Sequence, residues 1–292
     1  MGNGFWCYRV TPNLVRTREE LRAALGGARP GLVPTMGALH EGHLALIARA
    51  AGENPLTVVS VFVNPTQFTN RDDLARYPRD MGRDRDHAGR AGADLIFAPE
   101  VETIYPSGFA TAVDVGELGA RWEGVSRPGH FRGVATVVTI LLNLVRPARA
   151  YFGEKDWQQL QVIRRLHRDL ALPGEIVGCP TVRDDTGLAW SSRNARLTDA
   201  DRALAGHIPQ AIAAVRRAAA AGERDVSRLE ALGRKELNRP GIAVDYLAIV
   251  DGESLEPLST LAPGARLIVA TDVGGTRLID NGAIEAAGSD DA

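Results

Sequence analysis

The sequence predicts an α/β protein: a Rossmann-like, doubly wound parallel sheet with a smaller C-terminal α+β domain. Short β-type runs alternate with helical runs through the first 182 residues, which is the pattern of parallel strands joined by crossover helices. One run, LTVVSVFVN at residues 56–64, is continuously β-branched and typical of a strand buried on both faces. After Arg183 the pattern changes to helices rich in alanine and arginine, followed by two strands.

The first domain's elements follow one another with short connections. Strands are predicted at residues 31–35, 56–64, 93–98, 148–152 and 175–182, and helices at 42–51, 79–92, 131–145 and 157–170. Pro147 ends the third helix, because proline cannot continue one. This strand–helix–strand repetition indicates the doubly wound sheet.

The second domain begins with a helix over residues 198–221, capped by Thr198, stopped by Gly222 and kinked at Pro209. A helix at 226–237 and antiparallel strands at 243–250 and 266–273 follow. The remaining tail is small and acidic, which predicts disorder. We therefore divide the chain into domains at 1–182 and 183–281 and a tail at 282–292.

Composition argues against several classes of protein. A net charge of −2 gives no field for wrapping nucleic acid. The two cysteines, Cys7 and Cys179, match no metal spacing and are too few for a disulfide framework. No apolar run reaches membrane-spanning length and no signal peptide is visible. We expect a cytoplasmic protein that binds neither nucleic acid nor membrane.

The stretch PTMGALHEGH, residues 34–43, places His40 and His43 where a predicted strand leads into a helix. Parallel α/β sheets bind ligands at this end of their strands. The helix N-terminus offers N–H groups and partial positive charge to an anion, and Gly37 permits close backbone approach. The local design favours a polyphosphate.

Two other interpretations stay open on these residues alone. HEGH lacks the two-residue spacer of the H-E-x-x-H zinc helix, and the other histidines are scattered, which makes a metal site the weaker alternative. A surface turn that contains histidines by chance is the other. The remaining histidines are His87, His130, His167 and His207.

Five ordered blocks together resemble the pantothenate synthetases, the pantoate–β-alanine ligases of the H-x-G-H nucleotidyltransferase superfamily. The blocks are PTMGALHEGH (34–43), VSVFVNPTQF (59–68), SRPGHFRGVATVV (126–138), YFGEKDWQQL (151–160) and DTGLAWSSRN (185–194). The resemblance covers nearly the whole chain, ending in GGTRLIDN at 274–281. One H-x-G-H is weak evidence, but five blocks in order are strong.

The resemblance implies an ATP-dependent ligase that condenses pantoate with β-alanine to pantothenate. The reaction would pass through a pantoyl-adenylate and release AMP and pyrophosphate, with Mg²⁺ carried by ATP. The pantoate carboxylate is already ionised at neutral pH, so catalysis should be mainly positioning and electrostatic stabilisation. The resemblance also implies a homodimer, and the C-terminal domain is expected to close over the site as a lid.

The resemblance assigns site residues position by position. ATP would contact Met36, Gly37, Ala38, Leu39, His40, Glu41, Gly42, His43, Gly153, Glu154, Lys155, Asp156, Val182, Trp190, Ser191, Ser192 and Arg193. Of these, His43 would donate a proton to the departing phosphate, with His40, Lys155 and Arg193 as the other catalytic residues. Gln67 and Gln159 would hold pantoate, because an amide both donates and accepts, and Asn64 would support that pocket.

Trp190 departs from the family pattern, which usually has Met or Leu there. The indole either crowds the expected adenine position or stacks on the base.

Three rival functions are less well supported by the sequence. An adenylyltransferase of the same superfamily would need a binding set for a phosphorylated acceptor, where this chain has Gln67 and Gln159. A non-catalytic nucleotide-binding module is disfavoured because the chain has all four residues expected of a catalytic site: His40, His43, Lys155 and Arg193. The length and the missing basic anticodon-binding appendage disfavour a tRNA synthetase.

Overall fold

The computed structural model describes residues 11–285, so Cys7 lies outside the described residues. The chain divides into two compact units. The first comprises the described chain up to Val115 with Arg127–Gly153 and Val162–Cys179. The second comprises Gly116–Ser126, Glu154–Gln161 and the described chain from Pro180 onward. Two segments of the second unit thus precede residue 182, and the domain boundary placed there stays a prediction.

The first unit contains a six-stranded parallel sheet in the order β1-β4-β3-β2-β5-β6, which confirms the predicted sheet class. The strands are β1 Asn13–Val15, β2 Gly31–Thr35, β3 Thr57–Val61, β4 Leu95–Phe97, β5 Arg149–Gly153 and β6 Glu175–Cys179. All five residues of β3 are buried, as a β-branched central strand requires. The predicted strands at 56–64 and 175–182 are therefore shorter in the structure, while β2 has the predicted bounds.

The helices along the chain before residue 180 are of very different lengths. They are α1 Arg18–Leu25, α2 Glu41–Glu53, α3 Arg71–Ala75, α4 Met81–Arg90, α5 Val101–Ile104, α6 Glu117–Ala120, α7 Glu123–Ser126, α8 His130–Val145 and α9 Trp157–Asp169. The long apolar α8 buries most of its residues, from His130 to Val145. Helices α2, α4, α8 and α9 lie within a few residues of their predicted bounds.

The second unit contains a three-stranded antiparallel sheet, β7 Ile242–Asp251, β8 Ala265–Val273 and β9 Thr276–Ala283, in that order. Its longer helices are α10 Asp199–Ala205, α11 His207–Ala220 and α12 Val226–Leu237. Buried aliphatic residues of α11, α12 and the sheet form one core, including Ile208, Val215 and Leu267. The predicted smaller α+β fold and its antiparallel pair are confirmed.

The predicted kinked helix over 198–221 is wrong in detail, because the chain forms two helices that meet at Gly206. Pro209 lies in the first turn of α11, where a backbone N–H has no carbonyl partner within the helix, so proline is tolerated there. The break between the two helices lies instead at Gly206, which ends α10 and precedes α11.

The sequence did not predict β1, α1, β9 or the short helices α3, α5, α6 and α7. Strand β9 carries Asp280 and Asn281 at buried positions, 3% and 4% exposed, so it lacks the apolar pattern by which strands are recognised. It also continues through Ala283, past the predicted start of the disordered tail at residue 282. Residues 286–292 of that tail lie outside the described residues. Between residues 11 and 285, no helix is long and apolar enough to cross a membrane.

Candidate active site

The loop that carries the two histidines follows β2, and β2 is where the order of the sheet reverses. In the sheet, β3, β4 and β1 lie on one side of β2, and β5 and β6 lie on the other side. Crevices that bind ligands form at such switch points, beyond the carboxyl ends of the strands. Both β3 and β5 pair with β2 in parallel, so Thr35 and Gly153 end their strands at the same edge.

Side chains fix the backbone of this loop. Gly37 and Ala38 have positive φ angles of 82° and 51°. The Gly37 N–H donates to the Thr35 hydroxyl at 3.2 Å. The N–H groups of Ala38 and Leu39 donate to the two carboxylate oxygens of Asp84 at 3.0 and 2.8 Å. The loop is therefore shaped by a carboxylate that the sequence analysis did not identify.

His40 and His43 begin helix α2 as a capping pair. His40 is the N-cap, and its Nδ1 accepts the Gly42 N–H at 3.2 Å. The Nδ1 of His43 accepts the His40 N–H at 3.4 Å, which completes a capping box made of imidazoles. An Nδ1 that accepts carries no proton, so each neutral ring holds its proton on Nε2. The ring centroids are 4.1 Å apart, so the two imidazole rings are in direct contact.

Gln67 and Asn64, the predicted pantoate residues of the first unit, contact one another. Asn64 is 1% exposed, and its Nδ2 donates to Oε1 of Gln67 at 3.0 Å. The Nε2 of Gln67 donates to the sulfur of Met36 at 3.0 Å. The Gln67 amide is thus oriented by Asn64 and lies against Met36, the first residue of the loop at 36–40 between β2 and α2, called the histidine loop below.

Tyr105 and His130 support this pair and were not identified from the sequence. The Tyr105 hydroxyl donates to Oδ1 of Asn64 at 2.8 Å. Burial raises the pKa of Tyr105, although hydrogen bonds to Thr66 and Asn64 oppose that shift, so the hydroxyl keeps its proton. The Nδ1 atom of His130 lies 2.9 Å from the backbone oxygen of Gln67. His130 belongs to a block used for the resemblance, but histidine alone gave no signal of this contact.

In the second unit, the 3₁₀ turn Glu154–Asp156 presents Lys155. Asn281 of β9 donates from Nδ2 to the backbone oxygens of Glu154 and Lys155, at 2.9 and 2.8 Å. Its Oδ1 in turn accepts from Arg266 at 2.8 Å, and the Arg266 guanidinium stacks 3.3 Å from the centre of the Trp157 ring. Asn281 therefore positions the backbone that carries Lys155, a role that only the fold reveals.

Lys155 lines a cleft in the second unit together with residues of the loop at 190–193, all four of which are predicted ATP contacts. The cleft is lined by Lys155, Ser191, Arg193, Asn194, Arg277 and Asp280, among others. The Ser191 hydroxyl accepts the Arg193 N–H at 3.2 Å and caps the 3₁₀ turn Ser192–Arg196. Two separate sequence blocks, one with Lys155 and one with Arg193, thus supply cations to one cleft.

The segment that leads to this loop is anchored at its base. Arg183 forms two hydrogen bonds to Asp280, at 2.6 and 2.9 Å, and Asp280 is 3% exposed. Burial alone would lower the pKa of Arg183, but the hydrogen bonds and charge of Asp280 raise it. The Trp190 N–H donates to the Val182 backbone oxygen at 3.0 Å, so two predicted nucleotide contacts are neighbours.

The other predicted residues are placed as follows. Glu41 is exposed on the first turn of α2, and Gly153 is the last residue of β5. Gln159 is half-buried in the first turns of α9 and belongs to the second unit, whereas Gln67 belongs to the first. Between residues 11 and 285, no group of three His, Cys, Asp or Glu residues is arranged to hold a metal ion.

Comparisons with known proteins agree with one another. A family model described as pantoate-beta-alanine ligase matches residues 10–283. The chain is 56% identical over 269 residues to a pantothenate synthetase of Thermus thermophilus, covering 91% of this chain and 97% of the relative. It is 52% identical over 277 residues to one of Acidiphilium cryptum, covering 93% and 99%.

Two solved structures are similar over nearly the full length of the chain. A crystal structure of pantothenate synthetase from T. thermophilus has a TM-score of 0.90 at 54% identity, covering 93% of this chain and 99% of that one. A Francisella tularensis pantoate-beta-alanine ligase, complexed with beta-gamma ATP and beta-alanine, has a TM-score of 0.78 at 33% identity, covering 94% and 99%.

Proposed function

The chain belongs to the pantoate–β-alanine ligase family and is an enzyme with that activity, and we propose that it uses ATP to form a pantoyl-adenylate intermediate. The F. tularensis relative complexed with a form of ATP and with β-alanine supports both as substrates here. The observation that carries the proposal is the imidazole pair His40 and His43, which begins a helix at the switch point of the sheet.

In the proposed first half-reaction, a pantoate carboxylate oxygen forms a bond to the α-phosphorus of ATP, and pyrophosphate leaves. No base is needed, since a carboxylate is ionised at neutral pH. The difficulty is bringing two anions together, which calls for donors and cations placed in advance. The Nε2–H groups of His40 and His43 are suited to donate to phosphate oxygens, with His43 assisting the departing pyrophosphate.

Lys155 and Arg193 are proposed to neutralise the charge of the phosphates. Their common cleft in the second unit supports this assignment, and so does the composition of the chain. Only Lys155 and Lys235 are lysines among 34 basic residues, so a lysine in this cleft is a specific choice. The compact ammonium of lysine suits a point contact with phosphate, and the arginine fork suits two oxygens at once.

Pantoate is proposed to bind through Gln67 and Gln159. The Gln67 amide is oriented by Asn64 and Met36, which leaves few rotamers to freeze when a ligand binds. In the second half-reaction, the neutral amine of β-alanine attacks the acyl carbon of the adenylate and AMP leaves. The surplus amine proton passes to the leaving phosphate or to water.

Mg²⁺ is proposed to arrive with ATP, held by phosphate oxygens. Hard oxygen ligands are what Mg²⁺ prefers, and its usual protein contacts in nucleotide sites are one or two carboxylates. When bound, Mg²⁺ would neutralise phosphate charge. The predicted homodimer and cytoplasmic location stay predictions; sedimentation velocity measures the first.

Exchange of labelled pyrophosphate into ATP tests the adenylation step. We expect exchange that requires both Mg²⁺ and pantoate and that persists without β-alanine, because the adenylate forms before the amine reacts. Folded protein that shows no exchange with pantoate would contradict the adenylate proposal. Exchange driven by a phosphorylated acceptor would favour the adenylyltransferase rival, and ATP binding without exchange would favour a non-catalytic module.

Replacing Trp190 with methionine tests how this chain accommodates the nucleotide. Trp190 is partly exposed, next to Val182 on the segment that leads to Ser191. We expect the Kd for ATP, measured by calorimetry, to fall or stay unchanged in Trp190→Met, because methionine removes bulk and adapts its shape. A marked rise in Kd would show that the indole serves as a stacking platform for the base.

A further inference from the structure

We propose that Asp84 is the positioning residue for the histidine loop: its carboxylate fills the anion-binding nest formed by the amides of that loop. The loop is then built before the nucleotide binds, and phosphate recognition at this loop falls to the imidazoles of His40 and His43. This inference rests on the proposed function for its kinetic consequences, but its structural part can be tested without any turnover.

The nest is formed by the consecutive N–H groups of Ala38 and Leu39. Both N–H groups reach one carboxylate, so they point to the same side of the chain, and the loop passes there through Gly37 and Ala38, whose φ angles are 82° and 51°. Such concave runs of N–H groups bind anions, and in phosphate-binding loops the anion is the ligand itself. Here the two oxygens of Asp84 occupy it, at 3.0 and 2.8 Å.

The neighbouring amides of the loop are also used within the protein. The Gly37 N–H donates to Thr35, the His40 N–H donates to His43, and the Gly42 N–H donates to His40. The backbone from residue 37 to residue 40 thus donates each N–H to a side chain of the first unit. This differs from the expectation that phosphate would bind to the N–H groups of the loop, and at residues 37–40 it assigns that contact to side chains.

The carboxylate itself is held firmly. Asp84 is 2% exposed and lies one turn into α4, where the positive end of the helix favours an anion. The start of that helix is capped by Asp80, whose Oδ1 accepts the Arg83 N–H at 2.9 Å. A Cβ at position 37 would lie 2.7 Å from Oδ2 of Asp84 and 3.0 Å from a methyl carbon of Val61, so only glycine admits this approach.

Asp84→Asn removes one acceptor and places an NH₂ group against one of the two donor amides. We expect the kcat of pantoate-dependent exchange to fall by about 10- to 100-fold, because small displacements of catalytic groups cost that much. The KM for pantoate should change by less than about threefold, since Asn64, which lies outside the loop, still orients the Gln67 amide. If the substitution only destabilised the fold, it would lower the concentration of active protein and leave the kcat and the KM of the folded fraction unchanged.

Asp94→Asn is the matched control. Oδ2 of Asp94 also accepts a backbone N–H of this sheet, that of Thr57 at 2.8 Å, but at the amino ends of the strands. We expect this variant to lose stability without a change in kcat. Equal changes in kcat for the two variants would overturn the positioning role of Asp84.

Hydrogen exchange of the peptide that covers residues 36–43 gives the readout independent of activity. In the wild-type protein we expect these amides to be protected without nucleotide and to gain little protection on adding ATP with Mg²⁺. In Asp84→Asn we expect low protection that ATP partly restores. A wild-type loop that is unprotected until ATP binds would overturn the inference, even if Asp84→Asn proved unable to fold.

The two proposals fail in different ways. A wild-type protein without pantoate-dependent exchange contradicts the adenylate mechanism, while the protection of residues 36–43 still decides the role of Asp84. Normal pantoate-dependent pyrophosphate exchange in both the wild-type protein and Asp84→Asn contradicts the role of Asp84 but not the adenylate mechanism.

Discussion

Replacing His43 with alanine is expected to lower the rate of pantoate-dependent pyrophosphate exchange by about 10²- to 10³-fold, the usual cost of losing a proton donor or an oriented hydrogen-bond donor. The structure supplies the reason. The capping bond from the His40 N–H fixes the His43 ring and places its proton on Nε2. Alanine removes the donor and takes away this acceptor for the His40 N–H.

Folding should survive the change. Loss of a cap costs about 1 kcal/mol, and the core contacts of α2, through Leu46 and Ile47, are untouched. Thermal unfolding monitored by circular dichroism checks this. His43→Gln is the matched variant, because glutamine at this helix position can still accept the N–H of the cap residue but cannot transfer a proton. Unchanged turnover in His43→Ala would remove the histidine from the site.

Replacing Gly133 with alanine is expected to damage both stability and pantoate binding. Gly133 lies in the first turns of α8, and an added Cβ would meet the backbone of Thr66 and Gln67 at 2.5 to 2.7 Å. Backbone atoms cannot rotate away as a side chain can, so the 3₁₀ turn Pro65–Gln67 must shift. We expect the free energy of unfolding to fall by about 1–3 kcal/mol and the KM for pantoate to rise.

The control for this variant is the same substitution in another helix. Gly52 lies in the last turn of α2, and a Cβ there would meet nothing within 4 Å. Gly52→Ala should raise the free energy of unfolding by about 0.5–1 kcal/mol, because alanine is the better helix former. Denaturant titration of both variants measures the opposite signs. Equal stabilities would show that α8 and the turn at Gln67 are not tightly packed.

The parts of the fold that the sequence predicted well are those with strong local signals. Helix α12 was predicted at residues 226–237 and β2 at 31–35, the bounds that the structure has. The apolar period of a helix and the β-branched composition of a buried strand are properties of neighbouring residues. They therefore need no knowledge of what packs against them.

The parts that were missed depend on contacts between distant residues. Leu39 and Asp84 are 45 positions apart, and nothing near Asp84 distinguishes it from the other acidic residues of a charged surface helix. Strand β9 buries Asp280 because Arg183, 97 positions away, pairs with it. In a sequence, a buried charged residue cannot be distinguished from a surface residue until its partner is known. The supporting residues of the site could therefore be identified only from the fold.

The N-cap of α2 bears on how this protein can be engineered. Serine, aspartate and asparagine are the preferred residues at such a position, and histidine is not among them. The helix therefore begins with a residue that serves it less well than common alternatives, at the position of His40. A library screened only for heat resistance would enrich substitutions at this position. Each such variant would be more stable but would catalyse the reaction less well. Selection for thermostability in this fold should hold both histidines fixed and seek stabilising changes on surfaces remote from the sheet's carboxyl edge.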